Sequence, residues 1–197
     1  MPATWLHVLT FPLQAQLMAE RDFPFGLAGL VHLRNEMTLR LPVAVGDRLR
    51  LAVRVETLAE HRRGYAFDLV GEAHVRGELV WSGRSTYLAR RPGPADPEAA
   101  APERPRGALS VPSQRWRLPA DLGRRYAAVS GDINPIHLYP LTARPFGFSR
   151  PIVQGMWTQA RVLAALGGRL GATYTATATF TKPILLPGAA TFGVTED

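Results

Sequence analysis

The stretch "DRLRLAVRVE", residues 47–56, constrains the fold most tightly. Leu49, Leu51, Val53 and Val55 alternate with a face made mostly of Arg48, Arg50, Arg54 and Glu56. A period of two puts one set on each side of an extended chain, so the segment is a half-buried strand that needs neighbours in a sheet and an apolar cover. The neighbours follow at once. "GYAFDLVGEAHV" and "ELVWSGRSTYLAR" begin after the turn signals Arg63-Gly64 and Arg76-Gly77, which predicts an antiparallel meander. The cover precedes it: Trp5, Val8, Leu9, Leu13 and Leu17 fall at helical spacing. They are expected to form the apolar face of a helix in the first twenty residues, least regular at Pro12.

Helix then strand recurs downstream. "PIVQGMWTQARVLAALGGR" places Val153, Met156, Trp157, Ala160, Leu163 and Leu166 at roughly helical spacing and stops at Gly167-Gly168, after which "TYTATATF" alternates as a strand. The segments "RLPVAVGDRL" (40–49) and "TKPILLPGAATF" (181–192) share one order: strand, Pro42 or Pro183, short apolar run, Gly46 or Gly188, new strand. The halves are therefore read as diverged copies. Residues 91–108, "RPGPADPEAAAPERPRGA", are rich in Pro, Ala and charge and have no apolar period, the pattern of a linker. The expected organisation is an α+β chain with an N-terminal half at 1–90, a linker at 91–108 and a C-terminal half at 109–197. The first copy has two further strands where the second stops at Asp197, so an open sheet edge and an incomplete C-terminal half are expected.

Composition narrows the function. With 46% apolar residues the chain can bury a sizeable core. It has no cysteine, which removes disulfides, thiolate metal sites and thiol redox chemistry and suits a reducing, cytoplasmic setting. The start lacks a basic leader, and even the apolar stretch from 152 to 166 carries Gln154, Gln159 and Arg161, so no membrane span is expected. A net charge of +7 invites a nucleic-acid reading, but Lys182 is the only lysine and the arginines are scattered. Without a basic stripe or a recognised module, no nucleic-acid partner is expected. His7, His32, His61 and His74 lack metal-ligand spacing and read as structural or surface residues, with no metal site. Trp5, Trp81 and Trp157 read as core.

The chemistry is concentrated in "SGDINPIHLYP", residues 130–140, where Asp132 and His137 lie either side of Asn134-Pro135. Turn formation alone accounts for Asp, Asn and Pro in such a run. A second account is chemical, because a rigid bend can present a carboxylate and an imidazole to one water molecule. Nearby, "VQGM" opens the helix that begins around Gly155. The first amides of that helix have no internal partner and sit at the positive end of its dipole, which makes them a candidate oxyanion hole.

"YAAVSGDINPIHLYPLTA" (126–143) followed by "GFSRPIVQGM" (147–156) resembles the hydratase motif of the MaoC-like (R)-specific enoyl-CoA hydratase and 3-hydroxyacyl-thioester dehydratase family. The likeness rests on Tyr126, Ser130-Gly131-Asp132, Asn134-Pro135-Ile136-His137, Ala143 and the Gly-Phe, Pro-Ile and Gly-Met landmarks. Over its whole length the chain resembles the two-domain members. The resemblance implies a double hot-dog fold, an antiparallel sheet wrapped around long central helices, with a degenerate N-terminal half and a catalytic C-terminal one. It implies a hydro-lyase that reversibly hydrates trans-2-enoyl thioesters to (R)-3-hydroxyacyl thioesters in fatty acid metabolism, without cofactor. The partners implied are coenzyme A or acyl carrier protein thioesters, with a homodimer as a candidate assembly. Carried over by position, Asp132 and His137 are the catalytic pair and the Gly155 amide binds the thioester oxygen. Asn134 orients the pair, touches the ligand or shapes the turn, and Trp157 is a candidate acyl-pocket residue. Many relatives carry His where this chain has Gln154. Two rivals remain: a hot-dog thioesterase, which would need a carboxylate that the helix after Gly155 lacks, and a non-catalytic acyl-thioester-binding or assembly subunit.

Overall fold

The computed structural model describes residues 1–27, 30–90 and 114–195, so the expected linker lies outside the described residues. Helix α1 (Ala3–Met18) is followed by strands β1 (Val31–Leu39), β2 (Leu49–His61), β3 (Gly64–Val75) and β4 (Glu78–Arg90). β5 (Gln114–Leu118), α2 (Leu122–Ser130), a short α3 (Pro140–Ala143), α4 (Gly155–Leu166), β6 (Tyr174–Thr179) and β7 (Gly188–Phe192) complete the order. One antiparallel sheet runs β2-β3-β4-β1-β6, and a two-stranded one pairs β5 with β7. The expected meander is β2-β3-β4. Its first strand lies at the sheet edge, which leaves Val55 and Leu58 exposed despite their apolar character.

α1 lies across this sheet, but not on the face that its apolar spacing suggests. The buried positions are Ala3, Leu6, His7, Thr10, Gln14 and Met18, while Trp5 and Leu13 are exposed. The polar residues pack inward because they are satisfied locally: Thr10 Oγ1 donates to the His7 carbonyl at 2.9 Å and Gln14 Nε2 donates to Thr10 Oγ1 at 3.3 Å. The sheet opposite is small where they sit. A Cβ on Gly71 would meet Thr10 Oγ1 at 3.1 Å, so the glycine lets helix and sheet approach closely. Pro12 falls on the exposed side and the helix continues through it.

One core joins the parts. Ala3 and Leu6 of α1, Met37 and Leu39 of β1, Ala73, Val80 and Trp81 of the sheet, and Met156 of α4 form a single buried cluster. Burial of its leucine, valine and methionine side chains stabilises by roughly 1.5–3 kcal/mol each. β6 extends this sheet from its β1 edge and carries no further strand on its other side among the described residues. β7, the strand expected after Gly188, pairs with β5, a segment whose strand character had no periodic signal. Among the described residues no helix is long and apolar enough to cross a membrane.

Candidate active site

The site is built on the end of α2. That helix stops at Gly131, whose left-handed backbone (φ 74°) is cheap only for glycine, and the Gly131 amide closes on the Ala127 carbonyl at 2.9 Å. Side chains then shape the bend. The Asp132 amide donates to Ser130 Oγ at 3.2 Å, the Asn134 amide to Asp132 Oδ1 at 3.2 Å, and the Ile136 amide to Asn134 Oδ1 at 3.4 Å. Asn134 thereby caps the short 3-10 turn Pro135–His137. With Oδ1 engaged by the backbone, Asp132 turns Oδ2 toward His137 Nε2 at 3.7 Å.

The other face of the imidazole fixes its tautomer. His137 Nδ1 lies 2.8 Å from the Ile152 carbonyl oxygen, which can only accept, so Nδ1 carries the proton and Nε2 of the neutral ring presents a lone pair toward Asp132. Burial holds the His137 pKa below its ordinary value, although the Asp132 charge and the Ile152 carbonyl pull it upward. The ring is neutral at pH 7. Two acceptors 3.7 Å apart do not bond each other; one water between them can donate a proton to each.

α4 starts close by. Its N-cap, Gln154, makes no side-chain capping bond. The Gln154 side chain points elsewhere and donates Nε2 to the Gly123 carbonyl of α2 at 2.9 Å. The first α-helical bond of α4 runs from the Thr158 amide to Gln154 O, so the amides before it, beginning with Gly155, have no partner within the helix. A Cβ on Gly155 would lie 3.0 Å from the Phe180 ring.

These groups share one cavity of about 1040 Å3, lined among others by Asp132, Asn134, His137, Gly155, Tyr87 and Tyr126. Of the residues singled out in the sequence, Trp157 is not brought there. It packs against the cluster of Trp116, Leu118, Leu122, Val153 and Leu186, and Trp5 is solvent-exposed. Tyr87 escaped notice because a strand aromatic carries no motif; burial and the Asp132 charge push the Tyr87 and Tyr126 phenols upward, so both remain hydrogen-bond donors. His7 and His32 also line the cavity. His32 stacks on Tyr87 at 4.6 Å between ring centroids. Burial lowers His7 to about 4 and His32 to about 3, the latter with help from the neighbouring His7 charge. Among the described residues, no three His, Asp or Glu side chains are grouped to hold a metal ion.

Comparison with known proteins agrees with this architecture. Residues 98–195 match the family described as MaoC like domain. The chain is 38% identical over 195 residues to 3-hydroxyacyl-thioester dehydratase X of Mycobacterium tuberculosis (strain ATCC 25618 / H37Rv), covering 99% of this chain and 70% of that protein. The crystal structure of HtdX of Mycobacterium tuberculosis superposes with a TM-score of 0.81 at 38% identity, over 95% of this chain and 73% of that one. A MaoC-like dehydratase of Phytophthora capsici shares the fold at a TM-score of 0.68 and 18% identity, over 86% of this chain and 63% of that one. Fold and site define a hot-dog protein with an antiparallel sheet on a central helix. The chain belongs to the MaoC-like dehydratase family.

Proposed function

We propose that the protein reversibly hydrates trans-2-enoyl thioesters to (R)-3-hydroxyacyl thioesters, with Asp132 and His137 as the catalytic pair. The observation that carries this reading is the pairing of two proton acceptors, Asp132 Oδ2 and the bare Nε2 of His137, at 3.7 Å in the cavity that also holds the start of α4. Conjugation with the thioester carbonyl makes C3 of the alkene electrophilic and moves charge onto the carbonyl oxygen as hydroxide adds. The Gly155 amide stabilises that oxygen. One proton passes from water to the pair as the C3–O bond forms, and the pair returns one proton to C2 from the same face, ending as it began. Asn134 holds the bend that aims Asp132. The relative named 3-hydroxyacyl-thioester dehydratase X supports the reaction class. The carrier is coenzyme A or acyl carrier protein.

The two-copy organisation, a double hot-dog with halves at 1–90 and 109–197 joined at 91–108, belongs to the same proposal. Its support is the β1-β6 ladder. Glu36 and Thr177 each stand six residues before the equivalent prolines Pro42 and Pro183 and face each other across the ladder. The flanking pairs, Arg34 with Thr179 and Thr38 with Thr175, interchange under the same equivalence, as expected of a local two-fold axis between two copies.

The test is loss of the conjugated enoyl-thioester absorbance when purified protein meets trans-2-enoyl-CoA of short and medium length, followed by chiral analysis of the product. Turnover to the (R)-3-hydroxyacyl thioester is expected. The same assay is run on the acyl carrier protein thioester, and a folded protein with no turnover on either carrier overturns the reading and leaves an acyl-thioester-binding subunit.

A further inference from the structure

Three arginines of the main sheet are paired with carboxylates. Arg34 pairs with Glu36 at 2.8 Å, Arg54 with Glu56 and Glu72 at 2.6 and 2.7 Å, and Arg84 with Glu56 and Asp68 at 2.6 and 2.8 Å. Arg63, in the turn from β2 to β3, and Arg90, the last residue of β4, are neighbours, because Gly64 pairs with Arg90 across the ladder. Both line the cavity that contains Asp132 and His137. No carboxylate among the described residues pairs with either, and the buried Nε of Arg63 has no hydrogen-bond partner.

Arg90 reaches across to the C-terminal half, its guanidinium carbon 5.8 Å from the centroid of the Phe148 ring. Stacking on a ring leaves the in-plane N–H donors free. The two guanidinium charges act on each other and on their surroundings: desolvation and then the Arg63 charge hold the Arg90 pKa below its ordinary value, and burial, Arg63 and Arg62 do the same to His61. Two like charges side by side on a cavity wall attract an anion. Of the cavity's other cations, Arg150 already donates Nη1 to the Pro187 carbonyl at 3.2 Å, and Lys182 lines it from the C-terminal half.

We propose that Arg63 and Arg90 form a phosphate subsite, through which the N-terminal half holds the carrier arm of the substrate turned over in the C-terminal half. This rests on the hydratase reading only for the identity of the substrate. A thioester of coenzyme A and one of acyl carrier protein share a phosphopantetheine phosphate, and its several oxygens suit two guanidinium forks better than a single carboxylate does. A cavity of about 1040 Å3 stands at the upper end of the usual ligand range of roughly 300–1,000 Å3, room for an arm as well as an acyl chain.

The test is a calorimetric titration of the whole chain, which needs no turnover. Coenzyme A, holo-acyl carrier protein and phosphate-free pantetheine are titrated into the parent, Arg63→Gln, Arg90→Gln and Arg90→Lys. We expect each glutamine variant to weaken one phosphate-bearing carrier by about tenfold, with Arg90→Lys recovering part of the loss and pantetheine shifting by no more than about twofold. Whether coenzyme A or the carrier protein shows the loss identifies the source of the phosphate. Unchanged affinity for both overturns the proposal, and so does equal weakening of pantetheine, which would place the arginines elsewhere on the arm. Arginine-dependent binding without any turnover keeps the subsite and sinks the hydratase reading.

Discussion

Gly123→Ala is a single methyl group placed against the catalytic turn. A Cβ at 123 would lie 2.0 Å from the His137 carbonyl oxygen and 3.0 Å from its carbon. Carbon and oxygen rest about 3.3 Å apart, so the two backbones must separate by about 1.3 Å. Neither side yields easily. Gln154 ties the Gly123 carbonyl at 2.9 Å, Arg124 Nη1 ties α2 to the Leu138 carbonyl at 3.0 Å, and Ile152 O holds the imidazole at 2.8 Å. Overpacking of this kind costs about 1–3 kcal/mol, and Gly123, the second residue of α2, stands in its first turn, where the propensity gain of an interior position does not apply. The fold should survive. Catalysis should not, because a displacement near 1 Å in a reacting group lowers rate by about a hundredfold. The assay is hydration of enoyl-CoA followed by absorbance, beside a thermal melt. A stable Gly123→Ala protein within about threefold of the parent rate would refute the claim that α2 positions His137.

Gly155→Pro removes the amide assigned to the thioester oxygen at a helix position that accepts proline, after a Gln154 already extended at φ −61°, ψ 134°. Because Gly155→Ala brings the same approach to Phe180 but keeps the N–H, kcat for the proline variant should fall about 10²–10³-fold below the alanine variant; equal rates would remove Gly155 from the mechanism. Since His137 is held below its ordinary pKa, the acid limb of kcat/KM should be centred below pH 6.5, and a fall centred at 6.5 or above in a pH–rate profile would contradict the buried neutral ring. His7 and His32 titrate near 4 and 3 in the fold and near 6.5 when unfolded. Protons are therefore taken up only on unfolding, and stability present above pH 6.5 is lost as pH falls toward 4, by about 1.4 kcal/mol per pH unit for each ring; denaturant titrations showing no such slope would place these rings in solvent.

The readable parts of the sequence were those where one local rule decides. Alternation from Leu49 to Val55 and the Gly64 and Gly77 turns mark strands whatever covers them, and the stop at Gly167-Gly168 marks the end of α4. The face of α1 was not readable, since Thr10 and Gln14 are buried through a hydrogen-bond chain and Gly71 makes room for them. Spacing cannot report such partners. In the site, the bend from Asp132 to His137 and the Gly155 amide were legible because turn chemistry and helix starts leave short-range marks. Tyr87, His32 and Gly123 arrive from distant segments, with nothing local to announce them, and Trp157 shares its helix with Gly155 but faces the other cluster.

The most direct measurement of the central claim is kcat/KM for enoyl-thioester hydration by Asp132→Asn, His137→Gln and the double variant, each checked for parent-like folding. If both groups hold one water, each single substitution lowers the rate by about 10²–10⁴-fold, and the double variant falls no more than about tenfold below the worse single. Losses that multiply, or a single variant that keeps more than about a tenth of the parent rate, would contradict a shared water between Asp132 and His137.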